Sequence, residues 1–293
     1  MGVVGGLRRK QAGDILEALR KHALTFLSLL ICLGATCAGE EHNALTAAEK
    51  KDGWVLLFDG KTMAHWIDPS KLDPAGDGWT IDDGCLRPVS HPRVTEDLVS
   101  TENYRDFELQ WDWRISPGGN TGVKYRVQAF PVLISGSGTP AKFEARVQLA
   151  LIEKLFDRRL IPSGGKADIY PVGFEYQLID NAAHPDAKRG PLYQTGALYS
   201  ILAPTKDASR APGEFNHSRL LVRGRHFEHW LNGEKVLDVT VDAEMLNRAL
   251  GARWGADSLA VQLLSKQPNQ SCPITLQNHG DAAWFRDIKV RRF

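Results

Sequence analysis

Cysteine is scarce: there are four in 293 residues, and two of them, Cys32 and Cys37, lie in an N-terminal apolar run. The other pair, Cys85 and Cys272, permits at most one disulfide, and neither has a CxxC neighbour from which to build a thiolate zinc site. An excess of charge of one sign is missing too. The formal charge is +1, with 36 Lys and Arg against 35 Asp and Glu, which offers nucleic acid no basic face. No apolar run is long enough for a stable membrane span. The glycine-rich stretches "GDGW", "GSG" and "PGGN" fall in turns rather than between a strand and a helix, so no dinucleotide-binding fingerprint is present. Internal repeats and low-complexity tracts are absent as well.

What is present is a globular composition, 43% apolar and 24% charged, with eight tryptophans between Trp54 and Trp284 to fill a sizeable core. At the N-terminus, "LRRK" and "LRK" precede "ALTFLSLLICLGATCAG", and Ala35, Thr36, Ala38 and Gly39 supply small residues for cleavage. Basic flank, short apolar centre and small-residue exit describe a secretory signal peptide over residues 1–38, with export to the periplasm or the exterior. A polar spacer over 39–53 then leads into one domain, 54–293.

That domain is a succession of short alternating segments. In "DFELQWDWRIS" Phe107, Leu109, Trp111, Trp113 and Ile115 share one face, and Glu108, Gln110, Asp112 and Arg114 the other. "TGVKYRVQ" turns Val123, Tyr125 and Val127 inward. "GWTIDDGCLRPV" reads as a hairpin turning at Asp82, Asp83 and Gly84, and Asn232-Gly233 favours a type I′ hairpin. Strands at this spacing indicate an all-β sandwich or barrel. One segment departs from the pattern. In "TPAKFEARVQLALIEKLFDRRL" Phe143, Val147, Leu151 and Leu155 recur every four residues behind Thr139 and Pro140, which predicts a helical insertion over about 139–160. A second short helix is expected over 244–255.

The motifs "FDGKTMAHW", "WRISPGGNTGVKYRV", "GFEYQLID", "HPD", "GALYSILAP" and "LQNHGDAAWFRDIKV", in this order, resemble the 3-keto-disaccharide hydrolase family over roughly 54–293. The resemblance implies a concanavalin-like jelly roll of two antiparallel sheets. It also implies action on glucosides already oxidised to a ketone at C3, so a sugar 3-dehydrogenase would be the functional partner. Phe174 departs from the family pattern, which has proline there, and the segment between Arg126 and Glu175 is longer than the family's.

Alternation and the resemblance together select the site residues. Glu175, His279 and Arg126 are the catalytic candidates; Gln177, Asn120, Lys124, Gln277 and Trp230 are candidates for holding sugar. A ketone at C3 acidifies the C2–H bond, so one general base can form an enolate that expels the group at C1, and water then adds. Glu175 or His279 is the base, the other member of the pair protonates the leaving oxygen, and Arg126 or a bound cation stabilises the enolate. An ordinary glycosidase would need a second carboxylate within about 10 Å of Glu175, and the sequence offers none. Asp180 lies roughly 16 Å along the same strand on the opposite face. The loop "DNAAHPD" carries donors that suit a divalent cation, but Asx turns and proline explain it better, and no cofactor is assigned. A non-catalytic, lectin-like carbohydrate-binding module on the same fold is the competing reading.

Overall fold

The longest clean alternation in the sequence becomes the middle of the larger sheet. The computed structural model describes residues 41–68, 78–90, 94–130, 132–135, 166–266 and 271–293. The signal peptide expected over 1–38 and the helix expected over 139–160 lie outside these.

The first half of the chain gives β1 (Val55–Leu56), β2 (Trp66–Ile67), β3 (Trp79–Asp82), β4 (Cys85–Pro88), β5 (Val94–Glu96), β6 (Leu98–Ser100), β7 (Phe107–Ile115), β8 (Asn120–Ala129) and β9 (Val132–Ser135). The second half gives β10 (Lys166–Ile169), β11 (Val172–Ile179), β12 (Asn216–Arg223), β13 (His226–Leu231), β14 (Glu234–Thr240), β15 (Thr275–Leu276) and β16 (Ala283–Arg292). The larger sheet runs β14-β13-β12-β7-β16-β4-β3, with β1 also on β16, and the smaller runs β11-β8-β15-β6-β2. Pairing within both is antiparallel, and sequence neighbours are repeatedly separated in space, as in a jelly roll. A small third sheet, β5-β10-β9, contains one parallel pair.

The core lies between the two main sheets. Phe107, Leu109, Trp111, Trp113 and Ile115 of β7 are buried against Val123, Tyr125, Phe174, Tyr176 and Leu178 of the smaller sheet. Aromatic edges lock the layers together: Trp111 meets Tyr176 at 5.2 Å between ring centroids and Tyr125 meets Phe227 at 5.2 Å, both nearly perpendicular. Phe174, where the family has proline, sits in this layer against Tyr125 and Phe227. Inside the core, His229 accepts or donates at both ring nitrogens, to Tyr125 Oη and to the Gly196 carbonyl, each at 3.0 Å.

The expected turns form. Asp83 and Gly84 both take positive φ (48° and 67°), as do Asn232 and Gly233 (50° and 85°), the geometry a two-residue primed turn demands. The segment read as a spacer is in fact docked. Thr46 and Glu49 make a reciprocal capping box at the helix Ala47–Lys51, and His42 Nδ1 bonds Asp287 at 2.7 Å. Cys85 and Cys272 are both buried free thiols.

Two helices, Ala243–Trp254 and Leu259–Lys266, connect β14 to β15. The first matches the expected second helix. The next helix packs on β11. Among the described residues, no helix is long and apolar enough to cross a membrane.

Candidate functional site

Strand pairing sets the floor of a pocket. Glu175 of β11 lies opposite Lys124 of β8, and Lys124 lies opposite Thr275 of β15. Since Phe174, Tyr176 and Leu178 point into the core, Glu175 and Gln177 point to the other face. That face is not a wet surface: Glu175 is 7% exposed, Gln177 1% and Lys124 2%. One row further along, Gly122 lies opposite Gln177, and the Glu175 side chain folds over it. A Cβ on Gly122 would lie 2.7 Å from Glu175 Oε1, so only glycine leaves the carboxyl room to lie flat across β8.

The pocket encloses about 200 Å³. Asn120, Lys124, Glu175, Gln177, Gln277 and His279 line it, six of the eight residues expected, joined by Asp97, Tyr170, Tyr199, Arg253 and Asn278. Lys124 Nζ lies 3.3 Å from Asp97 Oδ2 and 4.4 Å from the centre of the Tyr170 ring. Asp97 is fully engaged, accepting from Thr275 Oγ1 at 2.9 Å and from the Asn278 amide at 3.3 Å as well. A second carboxylate is therefore present beside Glu175, contrary to the sequence reading, but its oxygens are spent on holding Lys124.

At the rim stands His279, with its side chain 45% exposed. Its Nδ1 lies 3.4 Å from Asp281 Oδ2, and its Nε2 lies 3.3 Å from Asn120 Nδ2. A carboxylate requires a proton on Nδ1 and an amide NH₂ requires a lone pair on Nε2, so the arrangement selects a neutral ring with its basic nitrogen beside Asn120. Desolvation lowers the His279 pKa, against the pull of Asp281. Burial raises that of Glu175, opposed by Lys124 and Arg253. The two pKa values are thus pushed toward each other, that of Glu175 up from 4.5 and that of His279 down from 6.5.

Three buried amide oxygens on this wall, Asn120 Oδ1, Gln177 Oε1 and Gln277 Oε1, have no hydrogen-bond partner among the described residues. An unpaired buried acceptor costs about 1–3 kcal/mol. Three of them around one pocket make a site for a ligand with several hydroxyl donors.

Two expected residues are elsewhere. Arg126 takes a positive φ of 55° at a bulge, where the pairing shifts register between Val172 and Phe174. From that distorted position the Arg126 guanidinium donates to the Gly224 carbonyl at 2.9 Å in the β12–β13 hairpin of the other sheet. Trp230 lies on the outer face of the larger sheet, with Phe227, His229 and Leu231 directed inward. Its Nε1 donates to Glu228 at 2.7 Å, and Arg219 stacks over its ring. Neither residue reaches the pocket.

The oxygens of the "DNAAHPD" loop serve the loop itself. Asp180 accepts amides from Gly118, Ala182 and Ala183, and Asp186 accepts from Tyr199 Oη and Arg189. His184, His279 and Asp281 do bring three donor atoms within 4.8 Å of one another beside the pocket. His184 Nδ1, however, accepts the Asp186 amide at 3.0 Å, which leaves the ring proton on Nε2 rather than a lone pair for a cation.

The missed residues come from connections rather than long strands. Arg253 stands in the last turn of the helix Ala243–Trp254, where a basic residue reads as dipole compensation. Tyr199 and Tyr170 lie in loops, and Asp97 between β5 and β6. No periodicity marks any of them.

A 3-keto-disaccharide hydrolase of Bacteroides thetaiotaomicron is 29% identical over 264 residues, 86% of this chain and 82% of that protein. A crystal structure of a putative glycosyl hydrolase from Parabacteroides distasonis superposes with a TM-score of 0.56 at 23% identity, over 86% of this chain and all of that one. A second from the same organism gives 0.52 at 23% identity, over 82% and 99%. At that identity the two structures speak for the fold alone. Residues 53–291 match the model of the 3-keto-alpha-glucoside-1,2-lyase-like domain, and the chain belongs to that family.

Proposed function

We propose that this protein cleaves 3-keto-glucosides or 3-keto-disaccharides by elimination and rehydration, in the pocket over β8, β11 and β15. The observation that carries the reading is the convergence of Glu175, Lys124 and His279 with three unpaired acceptor oxygens. Those acceptors take sugar hydroxyls. His279, oriented by Asp281, removes the proton from C2. The electrons of that bond form the enolate, whose oxygen, the former C3 ketone, is stabilised by the Lys124 ammonium in place of the expected Arg126. Collapse of the enolate breaks the C1–O bond, and Glu175, whose burial favours its protonated form, gives a proton to the leaving oxygen. Water then adds at C1 and a proton returns to C2, which completes a net hydrolysis.

The name of the Bacteroides relative supports the substrate class. An oxidoreductase must supply the ketone, and an exported protein would meet its substrate outside the cytoplasm. The test is a time course in D₂O with a 3-keto-glucoside and its unoxidised parent, for wild type, Glu175→Gln and His279→Gln. Release from the keto sugar alone is expected. Glu175→Gln should still exchange deuterium into C2 but release slowly, whereas His279→Gln should do neither. Exchange that survives loss of His279 would overturn its role as the base. Binding of both sugars without cleavage would make the protein a lectin-like module.

A further inference from the structure

The pocket holds two cations, and they are not alike. Lys124 is matched by Asp97 at 3.3 Å. Arg253 has no carboxylate within ion-pair distance among the described residues. Its hydrogen bonds go to neutral oxygens, Nη1 to Ser200 Oγ at 3.2 Å and Nη2 to Tyr170 Oη at 3.3 Å. The ring of Tyr199 lies 4.5 Å from its guanidinium carbon and that of Trp254 also 4.5 Å. Aromatic stacking fixes the plane of the guanidinium, and Arg carries five N–H donors, of which these bonds use two. A fork held in one plane on a pocket wall, without an anion, is the geometry that recognises a planar carboxylate. The two cations are also at different places. Lys124 sits over the Tyr170 ring face, and Arg253 meets the hydroxyl at the ring's far end.

Resting on the reading of this pocket as a sugar site, we infer that Arg253 forms a carboxylate subsite and that the preferred substrate is an acidic glycoside, a sugar carrying one carboxylate among its hydroxyls. The unpaired oxygens of Asn120, Gln177 and Gln277 take hydroxyl donors, and the Arg253 fork takes the acid group. One unpaired cation matches a monoanion. A phosphate dianion would ask for more positive charge than this wall supplies.

Equilibrium titration of the full chain with D-glucose, D-glucuronate and D-glucose 6-phosphate tests this, for wild type, Arg253→Gln and Arg253→Lys. Thermal melts establish that each variant is folded. A charge-assisted bidentate pair favours glucuronate over glucose by roughly tenfold to a hundredfold. In Arg253→Gln that ratio should fall toward one, and Arg253→Lys, which keeps the charge but loses the fork, should retain only part of it. Equal binding of glucose and glucuronate by wild type would overturn the acidic class and leave the sugar site standing. A preference that survives Arg253→Gln, or tighter binding of glucose 6-phosphate, would overturn it too. Failure of all three sugars to bind would count against the sugar site itself.

Discussion

Gly122→Ala asks whether the position of Glu175, and not merely its presence, drives turnover. Gly122 is not among the glycines with positive φ, so alanine fits the strand without backbone strain. The added methyl would meet Glu175 Oε1 at 2.7 Å, Cγ at 3.0 Å and Cδ at 3.2 Å, whereas ordinary contact begins near 3.4 Å. The carboxyl must therefore withdraw by about 0.7 Å, and misplacement of a reacting group by about 1 Å costs on the order of a hundredfold in rate. We expect kcat on a 3-keto-glucoside to fall roughly tenfold to a hundredfold. KM should hardly change, because Asn120, Gln177 and Gln277 keep their places. The pH profile supplies a second readout. A carboxyl displaced from its buried seat has a lower pKa, so the alkaline limb of kcat should move to lower pH. A folded Gly122→Ala protein with wild-type kcat and an unmoved limb would refute the role assigned to Glu175.

Asp97→Asn should destabilise the fold by about 3–5 kcal/mol, because it leaves the Lys124 ammonium buried without its anion. Adding Lys124→Met should recover most of the melting temperature but no activity; recovery of activity would show that Lys124 is not the electrophile. Acid should also weaken the fold through His229, which burial pushes down from 6.5 to about 4. Between those values the unfolded chain binds the extra proton, so stability is complete above pH 6.5 and falls by about 3 kcal/mol on reaching pH 4. Denaturant midpoints across this window should slope less in His229→Gln than in wild type, and equal slopes would refute the assignment.

Much of the fold was legible because antiparallel sheets write their two faces into alternate residues. The inward set of β7, the primed turns at Asp83-Gly84 and Asn232-Gly233, and the outward direction of Glu175 and Gln177 all follow from period two and turn chemistry. Arg126 failed for a local reason. Between Tyr125 and Ala129, β8 carries two more residues than β11 opposes, and Arg126 lies among them at positive φ. Gly173 was the available signal, since a Cβ there would meet the Tyr125 carbonyl at 2.8 Å and Val127 Cγ2 at 2.9 Å. An isolated glycine inside a strand marks a bulge or a close approach, and in β11 it marks both. Trp230 failed because alternation separates two faces without saying which one a ligand uses. It belongs to the larger sheet, whose outer side carries ion pairs and stacked arginines.

The residues that the sequence hid explain why this face of the sheet holds chemistry at all. Strands alone would leave Glu175 and Lys124 in water, where a carboxyl and an ammonium keep ordinary pKa values and an ion pair is worth little. Tyr170, Tyr199 and the helix ending at Trp254 close over them, and the enclosure changes both properties at once. It raises Glu175 toward a proton donor, and it makes the Lys124–Asp97 pair a buried cation held in register with Glu175 across two strands. His279, left at the rim, keeps the exposure that a base needs to exchange its proton with solvent. On the proposed mechanism, acid, electrophile and base are therefore graded by depth in one pocket. The strands choose which residues face it, while the connections set how far each is removed from water.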